Sequence, residues 1–457
     1  MHKIKRGLDL PILGAPEQTV DAAPPPTRVA LLAADYHGMK PTMHVEAGDQ
    51  VLRGQLLFED KKCAGVRFTS PGAGTVVAVN RGAKRAFQSV VVELDAAERS
   101  GKGETVKFEA YTGKHPNDLS GDQVAALLLE SGLWTALRSR PFDKVADPAE
   151  RPSSIFVTAT DSNPLAPDPA LLLKGQGEAF ERGLAALGQL AENRIFICAR
   201  PGFEVPDPGG KVSVERFDGP HPSGTVGLHI HQLDPVDRKK RVWHLGLQDV
   251  VAIGKLFGSG ELYFDRIVAL AGPSAGNPRH LRTRVGASLD ELTEGEIKAN
   301  GPSSVRTVSG SVLSGRTAQG EVLGFLGRHH QQVSLLDEGD QRDLLGWMGP
   351  GADKFSTLKT FVSALIPGKR FAFDTSTNGS HRAIVPVEDM YERVFPFDIE
   401  PAYLLKALAM GDIENAEALG VMELAEEDVA LCSFVCASKN DYGVFLRDVL
   451  TTIEKEG

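Results

Sequence analysis

Short apolar runs alternate with polar residues in the first quarter of the chain. The stretch "HVEAGDQVLRGQLLFEDKKCAGVRFTSPGAGTVVAVN" places short β-type runs between Gly-Asp, Arg-Gly and Pro-Gly pairs, a spacing typical of a small β barrel or sandwich. The proline run in "DAAPPPTR" precludes regular structure. We therefore expect an extended N-terminal segment over residues 1–26, ordered structure from about Thr27, and a β domain over 27–110.

The pattern then changes to alternating strands and helices. "DLSGDQVAALLLESGLWTAL" has the apolar period of a helix, with Ser120 or Asp122 as candidate N-caps. "SSIFVTATD", "RIFICAR" and "KVSVERF" are predicted strands, and a helical pattern, "LLLKGQGEAFERGLAALGQLAEN", separates the first two. Strand, helix and strand in this order favour a βαβ unit. We predict a Rossmann-like α/β domain over 111–259.

The last part of the chain has two further patterns. Mixed strand and turn signals predict a small β-grasp-like α+β module over 260–335. Apolar residues at three- and four-residue spacing in "FSTLKTFVSALI", "PAYLLKALAMGDIENAEALG" and "AEEDVALCSFVCASK" predict a helical domain over 336–457. The predicted fold class is thus an α/β and α+β multidomain protein.

Composition and charge exclude several classes of function. The 457 residues, 42% of them hydrophobic, suffice for several cores. With 60 acidic and 50 basic side chains, the net charge of -10 repels nucleic acid and anionic lipid. Asp9 and Pro11 interrupt the N-terminal apolar stretch, and no apolar run reaches the roughly 18 residues of a spanning helix. We expect a soluble, cytoplasmic chain without a signal peptide or transmembrane helix.

The α/β domain has no phosphate-binding loop. A nucleotide-binding domain would carry G-x-G-x-x-G or G-x-x-x-x-G-K-[ST] at this place, whose backbone N–H groups hold phosphate. Here "TDSNPLAPDPAL" follows the first strand. Its prolines lack the N–H groups that an anion would need, so we expect a nucleotide-binding architecture without its phosphate loop.

The β domain resembles the biotinyl/lipoyl-type fold, whose sequences read "V..GD.V..GQ.L", a hairpin, then "P..G.V". The matching residues are Val45, Gly48, Asp49, Val51, Gly54, Gln55, Leu57, Pro71, Gly74 and Val76. Lys61 or Lys62 would be the modified residue of an acyl or lipoyl carrier, but neither has the usual distance to the second element. Use of the fold as a scaffold is the other interpretation.

Three histidines lie in "GPHPSGTVGLHIHQLDPV", at His221, His229 and His231. An H-x-H pair on a strand places both imidazoles on one face, where they could bind a metal ion together with Asp234 or His244. Hydrogen-bonded structural histidines are the alternative. A basic cluster, Arg279, His280, Arg282 and Arg284, suits either an acidic partner or an exposed strand edge protected by charge.

The four cysteines are Cys63, Cys198, Cys432 and Cys436. Their small number and wide spacing fit a reducing compartment. An iron–sulfur cluster needs about four thiolates, whereas only Cys432 and Cys436 fall in the helical domain. We interpret this pair as two small apolar residues on one helix face and expect no metal and no resident cofactor.

Several motifs together resemble the A subunit of the bacterial Na+-translocating NADH:quinone oxidoreductase. They are "KIKRGLDLPI", "HPSGTVGLHIH", "VALAGPSAGNPRHLRTRVGASL", "SGSVLSG", "YERVFPFDI" and "EEDVALCSFVC". The resemblance covers the whole chain. It implies a peripheral subunit on the cytoplasmic face of the inner membrane, in a complex that oxidises NADH, reduces ubiquinone and exports Na+. It further implies a fold related to the NADH- and flavin-binding subunit of respiratory complex I and to the Rnf complex C subunit.

The same resemblance places the cofactors elsewhere in the complex. NADH and FAD are expected on the F subunit, and the other flavins and iron–sulfur centres on the membrane subunits. The expected partners are subunits B to F, with ubiquinone as a ligand. A quinone head needs an apolar slot and a donor such as a Tyr O–H or His N–H, so we predict quinone contacts at Tyr36, His37 and Trp134. The alternative is an independent flavin and iron–sulfur NADH dehydrogenase-type subunit.

Overall fold

The computed structural model describes residues 1–206, 209–298, 304–339, 348–377, 383–384, 387 and 389–456. The strands in these ranges are β1 (His2–Lys3), β2 (Glu17–Ala22), β3 (Arg28–Leu32), β4 (Pro41–Met43), β5 (Gln50–Val51), β6 (Leu56–Asp60), β7 (Arg67–Thr69), β8 (Gly74–Arg81), β9 (Phe87–Leu94), β10 (Arg138–Arg140), β11 (Lys144–Val145), β12 (Ser154–Ala159), β13 (Arg194–Ala199), β14 (Val212–Asp218), β15 (Val242–Gly246), β16 (Asp265–Ala271), β17 (Arg279–Arg284), β18 (Val305–Ser309), β19 (Arg316–Thr317) and β20 (Gln332–Asp337).

The α-helices in the same ranges are α1 (Ala96–Arg99), α2 (Gly121–Glu130), α3 (Pro169–Leu173), α4 (Gly177–Leu190), α5 (Val226–Leu233), α6 (Leu247–Ser259), α7 (Leu289–Leu292), α8 (Gly320–Leu323), α9 (Pro401–Met410), α10 (Ile413–Ala418), α11 (Ala430–Val435) and α12 (Tyr442–Glu456). None of these helices is both long and apolar enough to cross a membrane.

Two small sheets form the N-terminal β domain. One has the order β3-β9-β8-β5 and the other the order β4-β6-β7. Phe58 and Phe68 from the second sheet share one core with Val76 and Val92 from the first, and all four are at most 1% exposed. Alternation along the strands brings these side chains to the inner face, in agreement with the small β barrel or sandwich that the sequence predicts.

The α/β domain is built on a seven-stranded sheet with the order β1-β14-β13-β12-β15-β10-β11. Strands β12 to β15 run parallel to one another, and β10 is antiparallel to β15. Helices α4 and α6 cross closely on one face because Gly254 carries no Cβ, which would lie 1.6 Å from the carbonyl oxygen of Ala179. Helix α5 packs on the other face, against Phe156 and Cys198. The Rossmann-like prediction is confirmed.

A six-stranded mixed sheet follows, with the order β19-β18-β20-β16-β17-β2. Strand β17 lies between β16 and β2, so the interpretation of its basic cluster as an exposed edge is wrong. Two of its arginines form ion pairs with other parts of the chain. Arg279 contacts Asp21 on β2 at 2.7 Å, and Arg284 contacts Glu98 on α1 at 2.7 Å.

The first 26 residues are more ordered than the sequence predicts. Strand β1 pairs in parallel with β14, and β2 pairs in parallel with β17. Ile12, between them, is 2% exposed and forms a bridge with Phe371. The expectation that ordered structure begins near Thr27 is therefore wrong, because pairing with two sheet edges satisfies part of the backbone hydrogen bonding of this segment.

Helices α9 to α12 form the C-terminal helical part, as predicted. The expected helix in "FSTLKTFVSALI" is wrong, since only Val362–Leu365 forms a short 3-10 helix there. A helix gains most of its stability by burying an apolar face. Leu365 is 80% exposed and Ile366 is 49% exposed, so the described residues do not bury the apolar face that a helix here would present.

Candidate functional site

The order in which the strands are added to the α/β sheet reverses between β12 and β15. From β12 the next two strands in the sequence lie on one side, and β15 lies on the other. The carboxyl ends of neighbouring strands at such a point border a crevice, where open α/β sheets bind ligands. Here the crevice is a cavity of about 140 Å³, and we call it the polar crevice. Its charged and imidazole side chains are Arg138, Asp161, His244, Asp249, Arg266, Arg328, His329, His330 and Glu427.

Two arginines share one carboxylate at the floor of the polar crevice. Asp249, in the first turn of α6, accepts from Arg266 Nη2 at 2.5 Å and from Arg328 Nη1 at 2.8 Å. Burial alone would raise the pKa of Asp249, but the charges of Arg328 and Arg266 outweigh burial and lower it. The carboxylate therefore stays ionised at neutral pH. The guanidinium of Arg328 carries five N–H donors, and its hydrogen bond to Asp249 uses one of them.

Three buried imidazoles line the same cavity. Burial lowers the pKa of His244 to about 4 and that of His330 to about 3, and it also lowers the pKa of His329. All three are neutral at pH 7, so each ring offers one donor and one acceptor. His244 Nε2 lies 2.8 Å from Asp143 Oδ1, and His330 Nδ1 lies 2.8 Å from Ser309 Oγ. His329 Nε2 is buried without a hydrogen-bond partner among the residues that the structure describes.

A second layer of buried charge connects the crevice to the C-terminal helices. Arg140, at the end of β10, is fully buried and donates from Nη1 to Asp428 Oδ2 at 3.2 Å and to the carbonyl oxygen of Glu423 at 3.1 Å. Its Nη2 lies 3.6 Å from Glu427. Burial, followed by the charge of Asp428, raises the pKa of Glu427 to about 7. A carboxyl group of raised pKa thus lines the crevice.

Tyr36 lies beside the polar crevice. It is 4% exposed and, with Thr135, lines a cavity of about 30 Å³ that shares Arg266 and Arg328 with the crevice. The ring meets Phe68 edge to face at 4.7 Å. Burial raises the pKa of Tyr36, so the phenol stays protonated.

His37 and Trp134 line neither of these two cavities. His37 Nε2 lies 3.6 Å from Glu426 Oε1. Trp134 is fully buried, and its indole N–H donates to the carbonyl oxygen of Ala146 at 2.7 Å. The quinone contacts at Tyr36, His37 and Trp134 stay a prediction.

His229 and His231 lie on helix α5 and not on a strand, so the expectation that they share one face is wrong. Residues two apart on a helix point about 200° apart. His229 Nε2 bonds the carbonyl oxygen of Ser223 at 3.0 Å, whereas His231 Nδ1 bonds Glu423 Oε2 at 2.7 Å. Each histidine holds α5 to a different neighbour. In the described ranges no group of three or more His, Cys, Asp or Glu side chains is arranged for a metal ion.

The two C-terminal cysteines lie in the core of the helical part. Cys432 is on α11 and fully buried, and burial raises the pKa of its thiol. Cys436 follows the last residue of α11 and has its Sγ 3.6 Å from Tyr442 Oη. Burial would raise the pKa of Cys436, but hydrogen bonds, first from Tyr391, lower it. Lys61 and Lys62, the carrier candidates, occupy the exposed turn between β6 and β7.

Of the charged and imidazole side chains of the polar crevice, sequence reasoning named only His244, and as a candidate metal ligand. Arg138 and Asp249 come from the α/β domain, Arg266 from the six-stranded sheet, Arg328 from the loop before β20, and Glu427 from the helical part. The signal that could have found some of them is the polar run "GRHHQQ" directly before a buried strand. Its charged and imidazole side chains lie in the loop before β20, and binding residues are concentrated on loops.

Three models of known protein families match successive parts of the chain. The NqrA N-terminal barrel-sandwich hybrid domain matches residues 2–95, the NqrA second alpha/beta domain matches 119–262, and the NQRA C-terminal domain matches 267–320. Among solved structures, NAD+-reducing [NiFe]-hydrogenase in the H2-reduced state aligns with a TM-score of 0.39 and 12% identity, over 82% of this chain and 77% of that chain.

Several curated relatives match from end to end. Each is the A subunit of a Na(+)-translocating NADH-quinone reductase, from Pseudomonas aeruginosa (55% identical), Hahella chejuensis (52%) and Yersinia pestis bv. Antiqua (51%). In each alignment 458 residues cover 100% of this chain and 100% of the relative. With this identity over its full length, the chain belongs to the NqrA family, the A subunits of the Na(+)-translocating NADH-quinone reductase.

Proposed function

We propose that this chain is the peripheral A subunit of an enzyme complex that couples NADH oxidation and ubiquinone reduction to Na+ export. The observation that carries this proposal is the 55% identity over the full length of a subunit of that name. The chain acts within the assembled reductase and is not catalytic by itself. Its partners are subunits B to F, and it lies on the cytoplasmic face of the inner membrane. Its net charge of -10 favours attachment through those subunits over adhesion to anionic lipid.

We further propose that NADH, the flavins and the iron–sulfur centres are held by the other subunits. The loop after β12 supports this, since Pro164 and Pro167 replace glycines where a phosphate would need N–H donors. The thiols are also divided among separate places: Cys63 in the β domain, Cys198 on β13, and Cys432 in the helical core. These observations disfavour the alternative of an independent flavin and iron–sulfur NADH dehydrogenase subunit.

Ubiquinone is the ligand that we propose for this subunit, with its head near Tyr36. The phenol is protonated and borders an apolar pocket, and neighbouring Arg328 and His329 supply further donors for quinone carbonyls. Because the Trp134 indole N–H already bonds Ala146, Trp134 would sense quinone through packing rather than through a hydrogen bond.

The test uses membranes of a bacterium whose gene for this chain has been deleted, together with the complementing wild-type chain. In inside-out vesicles, export is measured as uptake. We expect NADH-driven ubiquinone reduction and Na+ uptake to be absent from vesicles of the deletion strain and to return on complementation. Tyr36→Phe should raise the KM for quinone severalfold, whereas Tyr403→Phe, at a position that is 68% exposed, should leave it unchanged. Full Na+ uptake without the chain would refute its place in the reductase. Stoichiometric flavin or iron in the purified chain would refute the assignment of all cofactors to other subunits.

A further inference from the structure

Exposed apolar side chains concentrate in one short part of the chain. Among the described residues, six of fifteen exposed large apolar side chains fall between positions 348 and 384. Four of them are close together in sequence: Leu358 (57% exposed), Val362 (47%), Leu365 (80%) and Ile366 (49%). Scattered exposed apolar residues need no explanation, but a contiguous group marks an interaction surface.

Leu358 and Ile366 line a concave groove with an aromatic floor, which we call the aromatic groove, and Val362 and Leu365 are sequence neighbours of other lining residues. The cavity measures about 380 Å³ and is larger than the polar crevice. Phe355 and Phe371 lie in its floor, with ring centroids 5.6 Å apart. Leu8 from the N-terminal segment and Val394 from the helical part complete its walls. A groove of this size and lining accepts apolar side chains of a peptide segment, whereas a flat bilayer cannot fill it.

The charge around the aromatic groove is opposite in sign to that of the whole protein. Its described lining includes Lys359, Lys369 and Arg393 and no acidic side chain, although the chain carries a net charge of -10. Lys369 is paired with Asp353 at 2.6 Å, whereas Lys359 and Arg393 are exposed at the rim. Complementary potentials select and orient partners at interfaces, so this rim favours an occupant with negative charge beside its apolar residues.

We propose that the aromatic groove docks an apolar segment, flanked by Asp or Glu, from another subunit of the same complex. This inference rests on the proposed function and names the chemistry of one of its partner contacts. The apolar anchors of the segment fill the space over Phe355 and Phe371, and its acidic flanks meet Lys359 and Arg393. A second copy of this chain and a lipid are the competing occupants.

The experiment uses the assembled complex, purified through a tag on this chain. A photo-crosslinking amino acid replaces Leu365 in one variant and Met410, which is 70% exposed on α9, in a matched control. We expect Leu365 to crosslink to a peptide of another subunit that has apolar residues flanked by Asp or Glu, and Met410 not to crosslink to that peptide. In a second pair, Lys359→Glu with Arg393→Glu should lower the recovery of that subunit at least tenfold, whereas exposed Lys406→Glu should not.

Each outcome decides the inference. Crosslinks from Leu365 to a second copy or to lipid alone, or full recovery of the subunit with the charge-reversed rim, would overturn it while leaving the proposed function intact. If no other subunit is recovered with the wild-type chain, the proposed function fails and the inference fails with it. Circular dichroism of the variants verifies that these surface changes leave the fold unchanged.

Discussion

Arg140 is a fully buried cation with carboxylate partners. Its guanidinium is fully buried and contacts Asp428 and Asp143, at 3.2 and 3.4 Å. Taking such ions out of water costs several kcal/mol for each, and their mutual attraction recovers that cost only with good geometry. The group therefore adds little net stability when it is complete. Removing one member lowers the free energy of unfolding strongly, because the remaining charges stay buried without a partner.

We predict that Arg140→Ala lowers the free energy of unfolding by about 3–5 kcal/mol, since Asp428 and Asp143 lose their buried partner. The matched control is Arg151→Ala, which breaks the exposed pair with Asp122 and should cost less than about 1 kcal/mol. Urea denaturation followed by circular dichroism measures both. Equal losses for the two variants would contradict the buried network.

A second prediction concerns pH. Burial lowers the pKa of His229 from 6.5 to about 4, so the folded protein binds this proton more weakly than the unfolded chain does. The contribution of His229 to stability is therefore complete above about pH 6.5 and is lost as the pH falls toward 4. Between pH 6.5 and 4.5 this single group should remove about 2 kcal/mol.

The measurement for His229 is the slope of unfolding free energy against pH. His229→Asn should give a shallower slope than the wild type between pH 6.5 and 4.5, whatever its absolute stability. An unchanged slope in His229→Asn would show that this histidine does not titrate as described.

Elements differ in how far their sequence determines them. Helix α2 was predictable because Ser120 and Gln123 form a reciprocal capping box at its start. The sequence predicts a strand at helix α5 because apolar and polar residues alternate in "GLHIH". The helix has only eight residues, which is too short for its own period to be recognised. Strand β1 was missed because its stability comes from pairing with β14, more than 200 residues away.

The polar crevice was beyond sequence reasoning for the same reason. Asp249 attracts no notice as a residue of α6, and only the fold brings Arg266 and Arg328 to it. The individual domains could thus be inferred from local patterns, together with the family resemblance. The contacts that convert those domains into a site depend on tertiary structure, and no single-sequence pattern records them.

The N-terminal segment yields a prediction at the scale of elements. Ile12 is 2% exposed whereas its neighbour Leu13 is 42% exposed. We expect Ile12→Ala to cost about 2–4 kcal/mol through the cavity that it leaves, and Leu13→Ala to cost less than about 1 kcal/mol. Thermal unfolding of the two variants tests the difference. Equal melting temperatures would mean that the segment contributes nothing to the folded core.

At the scale of the whole molecule, one carboxylate joins two domains. The side chain of Glu98 is fully buried and bonds Arg53 in the β domain at 2.9 Å and Arg284 in the six-stranded sheet at 2.7 Å. The two arginine side chains are 16% and 15% exposed. Both domains therefore depend on a single charge for part of their contact, which couples their unfolding.

We predict that Glu98→Gln weakens this coupling, because a neutral amide cannot balance two guanidinium groups. Differential scanning calorimetry should show an earlier, broader or divided transition compared with the wild type. Exposed Glu46→Gln serves as the matched control and should leave the transition unchanged. A transition in Glu98→Gln that is identical to the wild type would mean that apolar contacts alone join the two domains.

The pairing of β1 with β14 has a consequence for biosynthesis. His2 lies 213 residues before its partner Glu215 in the chain. At roughly 5–20 residues per second, a ribosome needs roughly 10–40 s to make the intervening stretch. Strand β1 is thus synthesised well before its partner strand, and the nascent chain exposes Leu10 and Ile12 throughout that interval. An affinity tag for this protein belongs at the C-terminus, where it cannot delay that late step.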